Sequence, residues 1–426
     1  MELKERLAHL AKTGDVPVFA VVGSGHRSPV RRLRLSDGIN LVASPRHAAV
    51  LLVAGTLTEA ATETVSRVHD QMAGPRVTVG WNHPEPSIVP LAENVVGGVP
   101  DVTAAIRQQF ANVLTGTIPG EPPLLPNVDP VEWRGVGPYG HGGAGMTGGN
   151  PYGRPLPLRA PARDTLELDQ LPITIGPWFA GFPPGLALRV LLQGDVVQGL
   201  EVDSTRFVSD GPGGVFERAL REPTLIRDLE MDRARHHLEW MADALLICGV
   251  DRLALRADRL ASTIEAGDVQ RVDRLIASVR RSLLRPMTMR GVGVLPPDVD
   301  LTGLGPVARA AGVAEDARAA EDGYDDLGFT PVTHTAGDAW ARFSQRAQET
   351  TQAIDLAGRA GNRLAFGSGA VEAPDGLHRA EGSRPADRFV AMLEVVLNGE
   401  EWGDLVTTIQ SFDIDMESVS APKDVP

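Results

Sequence analysis

The sequence predicts a two-part fold, in which a parallel α/β unit precedes a larger, mainly helical α+β unit. Near the amino terminus, short and continuously apolar segments alternate with helical stretches, which is typical of a parallel sheet. A glycine- and proline-rich stretch without hydrophobic periodicity then interrupts the chain. Beyond it, a short β section is followed by apolar residues at helical spacing.

The first unit is predicted to span residues 1–115. Its strands are the segments PVFAVVGSG, AAVLLVAGTL and RVTVGW. A helix with Thr58 as its N-cap is expected over residues 57–72, and a helix capped by Asp101 over residues 101–114. The first residues, MELKERLAHLAKTGD, have the pattern of an amphipathic helix rather than a signal peptide.

Residues 116–164 are predicted to be a linker, whose length is consistent with draping over a partner surface. The second unit, residues 165–426, begins with a β section over 165–205 that turns at Gln193-Gly194-Asp195. Residues 222–426 are predicted to be mainly helical. Helices are expected over 225–257, 261–284, 338–365 and 386–398, and the tail GDLVTTIQSFDIDMESVS is predicted to be a strand with an acidic end.

Composition excludes several classes of function. The net charge of −14 disfavours nucleic acid and anionic lipid as main partners. No run approaches the about 18 apolar residues of a membrane span. The single cysteine, Cys248, forms no internal disulfide, which fits a cytoplasmic protein, and it cannot hold a four-thiolate metal centre.

The remaining candidate metal ligands, which are histidines and acidic residues, do not have the spacing of a typical metal site. His26, His69 and His83 lie in the first unit, and shared metal binding there is less expected than packing or solvation. His236 and His237 are adjacent on a predicted helix and therefore point about 100° apart. The alternating acids of the tail, Asp413, Asp415 and Glu417, are predicted to form a solvated acidic edge rather than a cation site.

Residues 44–80 resemble the cluster-bearing small subunit of respiratory complex I and of membrane-bound [NiFe] hydrogenases, through the ordered motifs SPR, VAGT and DQM. The resemblance implies a flavodoxin-like domain. It also implies that the positions of the cluster-binding cysteines are occupied here by Val21, Val22, Asn82 and Val99. Because valine has no lone pair, no iron–sulfur cluster is expected.

The second half resembles the large subunit of the same families, the D or 49-kDa subunit of complex I. The motifs MRGVGVL, GPVARAAGVAEDAR, GDAWARFSQRAQE and VEAPDG occur in family order. In the family, a histidine-containing loop reaches the quinone headgroup, whereas the stretch ITIGPWFAGFPPG contains no histidine. The resemblance also implies that two nickel–iron thiolate positions are occupied by Asp415 and Ser418.

Charged residues within these motifs are predicted to form structural ion pairs rather than a catalytic site. The residues are Arg309, Asp316, Arg318, Asp338, Arg342 and Arg346.

These resemblances imply a fused, non-catalytic subunit of a complex-I-like or group 4 hydrogenase-like membrane complex, without cofactors or metal. We expect it to dock on antiporter-like or quinone-module membrane subunits, at the inner face of the cell membrane. One alternative is an NADH:quinone oxidoreductase-type subunit that takes part in quinone or NAD(P)H chemistry with cofactors on partner chains. A second is a soluble module that binds a small ligand in the vacated cluster cavity.

Overall fold

The computed structural model describes residues 14–84, 88–126, 159–161, 166–211, 213–282, 288–366 and 369–420. The predicted N-terminal helix and most of the predicted linker lie outside these residues. None of the helices in the described ranges combines the length and the apolar character needed to cross a bilayer.

The first unit is a five-stranded parallel sheet with the order β2-β1-β3-β4-β5. Its strands are β1 (Val16–Val22), β2 (Ile39–Leu41), β3 (Val50–Ala54), β4 (Val77–Trp81) and β5 (Glu93–Val95). Three of them coincide with the predicted strands. The other two have only three residues each and lie at the sheet edges, so their sequences carry no periodic signal.

Three helices cover this sheet, and the sequence predicts the second and third of them but not the first. They are α1 (Arg27–Arg32), α2 (Thr62–Gln71) and α3 (Val99–Thr115). Thr58 precedes a short 3-10 turn, Glu59–Ala61, which leads into α2. Asp101 lies in the first turn of α3 and accepts a hydrogen bond from the Gly98 amide at 2.8 Å, so α3 begins two residues earlier than predicted.

The second unit opens with a three-stranded antiparallel sheet of order β10-β9-β8. In the described part of the chain, a two-stranded pair precedes it, formed by β6 (Arg159–Pro161) and β7 (Glu167–Asp169). The larger sheet contains β8 (Leu171–Ile175), β9 (Leu188–Gln193) and β10 (Val196–Val202). The chain turns between β9 and β10 at Gly194, which has a φ of 63°, as the predicted turn requires.

The rest of the second unit is mostly helical. Its helices are α4 (Val215–Ala219), α5 (Ile226–Ile247), α6 (Asp251–Thr263), α7 (Val269–Arg281), α8 (Gly305–Ala310), α9 (Asp322–Asp325), α10 (Ala339–Arg359), α11 (Pro385–Leu397) and α12 (Trp402–Phe412). Two short antiparallel pairs lie among them. They are β11 (Thr224–Leu225) with β12 (Leu364–Ala365), and β13 (Ala370–Ala373) with β14 (Gly376–Arg379).

Three sequence predictions for this unit are wrong. The helix expected over 261–284 begins only at Val269, because α6 ends at Thr263 and the loop that follows turns at Gly267 with a φ of 89°. The helix expected over 225–257 is two helices, because the chain breaks at Gly249 with a φ of 70°. The tail expected to form a strand is the helix α12, whose apolar residues Leu405, Ile409 and Phe412 are buried at helical spacing. Its β-branched residues suggested a strand, but packing against the helical core favours the helix.

The two units pack against each other directly. One face of the sheet, including Val21 and Val53, shares an apolar cluster with Trp178 and Phe207 of the second unit. The Trp178 indole N–H donates a hydrogen bond of 3.1 Å to the Val22 carbonyl. Val22 packs against the cluster on the opposite face, because consecutive strand residues alternate, and Val99, at the start of α3, packs against that same cluster. The valines at the predicted cluster positions therefore do not line one common interior.

We expect Val21→Ala to lower the free energy of unfolding by about 1–3 kcal/mol, because it leaves a cavity at a fully buried position. The matched control is Val96→Ala, since Val96 is 84% exposed and its truncation should change stability by less than about 0.5 kcal/mol. Urea denaturation measures both. Equal effects of the two substitutions would contradict the packing of Val21.

Candidate functional site

A cavity of about 800 Å³ lies where the first unit meets the second. The first unit contributes α1 residues to its wall, and the second contributes α5, α6, the β13–β14 hairpin and the C-terminal segment. Residues that represent these elements are Ser28, Arg31, Glu239, Asp258, His378 and Glu417. The wall is rich in ionisable groups, so its chemistry depends on which of them are paired.

The C-terminal segment after α12 turns back into the protein. Asp413 ends α12 in the left-handed conformation with a φ of 59° and is only 3% exposed. Its carboxylate lies 2.6 Å from His236 Nε2 and 3.2 Å from an Arg27 guanidinium nitrogen. Burial would raise the pKa of Asp413, but His236 and Arg27 hold that pKa far below its usual range. The prediction of a solvated acidic edge is therefore wrong at Asp413.

The next two acids of this segment, Asp415 and Glu417, have pKa values that are raised rather than lowered. Burial, together with the charge of Asp375, raises the pKa of Asp415. Burial and the charge of Asp415 raise the pKa of Glu417 to about 7. Both Glu417 oxygens accept the Gly25 amide, at 3.0 and 3.1 Å. This contact joins the loop after β1 to the C-terminal segment.

Asp415 and Ser418, the predicted nickel–iron positions, bond within their own segment. Asp415 Oδ1 accepts the Glu417 amide at 3.1 Å, and the Ser418 hydroxyl donates to the Asp415 carbonyl at 2.9 Å. In the described ranges, no group of three or more histidine, cysteine, aspartate or glutamate residues has an arrangement that could hold a metal ion.

His378 and Asp375 form a charged pair on the cavity wall. The carboxylate oxygens of Asp375 lie 2.9 and 3.0 Å from His378 Nε2. Burial would lower the pKa of His378, but the charge and hydrogen bonding of Asp375 outweigh it and raise that pKa to about 9. The imidazolium is therefore the dominant form at neutral pH.

Asn82, the third predicted cluster position, follows β4 with a φ of 48°. Its amide group bonds twice to Gly97, accepting at 3.1 Å and donating at 3.3 Å, and it lies 3.1 Å from His26 Nε2. The side chain thus ties the end of β4 to the loops before α1 and α3.

The three histidines of the first unit do not converge. His26 contacts Asn82, and His83 Nδ1 lies 2.7 Å from the Gly55 carbonyl, so both are at the carboxyl edge of the sheet. His69 bonds to Asp70 and Glu121 near the start of β4, at the opposite edge. A shared site for all three is excluded by this placement.

Arg309 and Arg318 lie in a buried network of charges. Arg309 contacts Glu349 at 2.7 Å, Glu372 at 2.5 Å and Asp316 at 3.1 Å. Arg318 binds Asp316 at 2.7 Å and Glu230 at 3.2 Å. All of these side chains are at most 3% exposed, so every charge depends on its partners.

Arg342 and Arg346 are also buried but donate to neutral oxygens, so the ion pairs predicted for them are wrong within the described part of the chain. Arg342 donates to the Gly337 and Gly293 carbonyls and to the Ser411 hydroxyl, at 2.7, 2.9 and 2.8 Å. Arg346 donates to the Ser411 and Phe412 carbonyls, at 3.1 and 3.0 Å. The two Arg346 bonds satisfy the last carbonyls of α12.

Asp338, predicted to supply an opposite charge, instead caps α10. Its carboxylate accepts the Ala341 amide at 2.7 Å and the Gly291 amide at 2.9 Å. An ion pair is not needed there, because an aspartate at an N-cap satisfies otherwise unpaired backbone amides.

Several wall residues were missed by the sequence prediction. Asp258, Asp375 and His378 belong to elements that are distant in the sequence, and no short motif connects them. The VEAPDG motif contains Asp375, but in the sequence it indicates only the family resemblance. A histidine three residues after that aspartate, on a tight hairpin, was the available signal.

Comparisons with known proteins place the similarity in the second half. Residues 268–384 match the family model described as the 49 Kd subunit of the respiratory-chain NADH dehydrogenase. A D-type subunit of the NADH-quinone oxidoreductase of Salinispora arenicola is 29% identical, over 35% of this chain and 44% of that protein. The corresponding protein of Salinispora tropica gives the same values. The C-terminal part of the chain thus contains a domain similar to the 49 Kd, or D-type, subunit of NADH-quinone oxidoreductase.

The chain spans less than half the length of these curated relatives. Among solved structures, one described as the membrane-bound sulfane sulfur reductase, an archaeal respiratory membrane complex, has a chain that overlaps 59% of this one. The overlap covers 98% of that chain, with a TM-score of 0.40 and 16% identity.

We expect Arg309→Gln to lower the free energy of unfolding by about 3–5 kcal/mol, because it leaves three buried carboxylates without their shared cation. Arg359→Gln is the control, since Arg359 pairs with Asp355 at an exposed site and its loss should cost less than about 1 kcal/mol. Urea denaturation followed by circular dichroism measures both. Similar costs would show that the buried network is not a major source of stability.

Stability should fall as pH rises from about 6.5 to about 9, in part through His378. Its folded pKa is raised, so its contribution is complete below 6.5 and is lost as the pH passes the folded value of about 9. His378→Gln should flatten this slope, whereas His47→Gln, at an exposed position, should not. The test is urea denaturation at pH 6 to 9, and unchanged slopes in His378→Gln would contradict the pairing.

Proposed function

We propose that this chain is a docking subunit of a complex-I-like membrane assembly and carries no redox cofactor of its own. The observation that supports this role most strongly is the match of residues 268–384 to the 49 Kd subunit family, in a chain with a single cysteine. The relatives are named as NADH-quinone oxidoreductase subunits. This chain would retain their scaffold in the second half while lacking the ligands for electron transfer.

The domain organisation proposed for this role has three parts. Residues 1–115 would be a small-subunit-like domain, 116–164 a linker and 165–426 a large-subunit-like domain. The extensive contact between the sheet and the second unit supports a fused pair, since Val21 packs with Trp178, and the Ser24 hydroxyl donates to the Ser209 carbonyl at 2.6 Å. Fusion would keep the halves together at high effective concentration.

A partly exposed aromatic cluster, formed by the exposed Phe179, the half-buried Trp402 and the buried Phe182, offers a surface for docking. The Phe179 ring lies 5.1 Å from Phe182 and 5.8 Å from Trp402, and Phe179 remains 37% exposed. Ile247 lies beside the same loop, near Gly181, and is 36% exposed. Contiguous exposed apolar side chains are typical of a partner interface, and we propose a membrane subunit of the antiporter or quinone-module type as that partner.

The expected result is that the tagged chain, at native expression, is recovered from membranes in mild detergent together with membrane subunits. Phe179→Asp should release it from the membrane fraction, because a charge in the apolar contact is costly to desolvate. Phe366→Asp is the control, since Phe366 is an exposed aromatic residue outside the cluster. Recovery of the wild-type chain without any membrane subunit would refute the docking role.

A parallel measurement tests the absence of a cofactor. Purified protein should contain no stoichiometric iron or acid-labile sulfide, because the predicted cluster positions hold three valines and an asparagine bonded to Gly97. Stoichiometric iron and sulfide with a visible absorption band would contradict this expectation.

A further inference from the structure

The cavity between the two units has the size of a site for a small organic molecule. Its volume of about 800 Å³ lies within the range of ligand pockets and is much larger than a metal site. Its wall also includes apolar surface from Val215, Phe216, Ala261 and Pro374. An organic ligand with polar ends and an aliphatic middle would suit such a wall.

Asp258 lines this wall, and its carboxylate is only partly hydrogen-bonded. The residue is 5% exposed, and its Oδ2 lies 3.4 Å from an Arg34 nitrogen. Its Oδ1 is buried and has no hydrogen-bond partner in the described part of the chain. Burial raises the pKa of Asp258 to about 6, against the opposing charge of Arg34. A buried acceptor of this kind is costly unless a donor reaches it.

The C-terminal segment adds two carboxylates that lack a cation. Within the described ranges, no lysine, arginine or histidine nitrogen lies within 4 Å of the Asp415 or Glu417 carboxylate. Neighbouring Asp413 and Asp375 differ in this respect, because His236, Arg27 and His378 pair with them. The wall therefore has acceptors that its own cations leave unpaired.

Most arginines of the wall are already engaged. Arg31 pairs with Asp243 and Glu239, and Arg235 pairs with Asp232. Arg384 donates to the Ser418 carbonyl at 3.3 Å and lies 3.9 Å from Glu217, while Arg32 is exposed to solvent. An anionic ligand would thus meet few available donors, whereas a cationic ligand would meet several available acceptors.

We propose that this cavity binds a small aliphatic polyamine, whose primary ammonium groups donate to Asp258 and to Asp415 or Glu417. An ammonium group is the complement of these carboxylates, because charge-assisted hydrogen bonds are stronger than neutral ones. The methylene chain of such a ligand would contact the apolar part of the wall. Binding of this kind does not require the docking role, so either proposal can fail while the other holds.

The test is isothermal titration calorimetry of the full chain with spermidine, and with glutarate as an anion of similar flexibility. Spermidine should bind in a saturable manner and glutarate should not. Glu417→Gln and Asp258→Asn should each weaken spermidine binding about tenfold or more, as expected for the loss of a charge-assisted hydrogen bond. Both substitutions conserve shape, and thermal melting confirms that the variants fold.

The control is Glu394→Gln, which removes an exposed carboxylate from α11. The control is needed because the net charge of −14 attracts polyamines to any acidic surface. The control variant should bind spermidine as the wild type does, because Glu394 does not line the cavity. Equal affinities of the wild-type, Glu417→Gln and Asp258→Asn proteins would identify non-specific attraction and overturn the proposal. Absence of spermidine binding, or preferential binding of glutarate, would also overturn it.

Discussion

The buried charges of the helical unit are the constraint on which much of the structure depends. Arg309 and Arg318 share the carboxylate of Asp316, and through Glu349, Glu372 and Glu230 they connect α5, α8, α10 and the β13–β14 hairpin. Arg233 adds a third guanidinium, 3.3 Å from Glu230. Because removal of one partner would leave an uncompensated buried charge, these elements must keep one relative arrangement. That arrangement fixes the wall of the cavity next to them.

A second set of ion pairs joins the two units. Arg31 and Arg34, within and just after α1, reach Asp243 on α5, and Arg34 also approaches Asp258 on α6. The charge of these arginines holds the pKa of Asp243 far below its usual range, despite burial. Asp258 has only the weaker contact, and its pKa is raised. These ion pairs thus stabilise the contact between the two units. They leave Asp258 incompletely paired beside the cavity.

The similarity to the 49 Kd subunit family and the chemistry of the cavity lead to different expectations. The proposed docking role starts from the similarity to that family, whereas the proposed ligand site starts from the ionisable groups of the cavity. The two are compatible, because the partly exposed aromatic cluster is formed by Phe179, Phe182 and Trp402, and none of these residues lines the cavity. The two proposals therefore concern separate surfaces of the chain.

The sequence by itself determined the α/β unit followed by a mainly helical one, since buried strands and amphipathic helices are local patterns. It also determined the lack of cysteine ligands. It did not reveal that the tail is a helix, because Val406, Thr407 and Thr408 favour strands locally and only packing of Leu405 and Ile409 decides otherwise. Nor did it bring Asp258, His378 and Glu417 to one cavity. Those residues lie far apart in the chain, and only the tertiary contact between the two units brings them together.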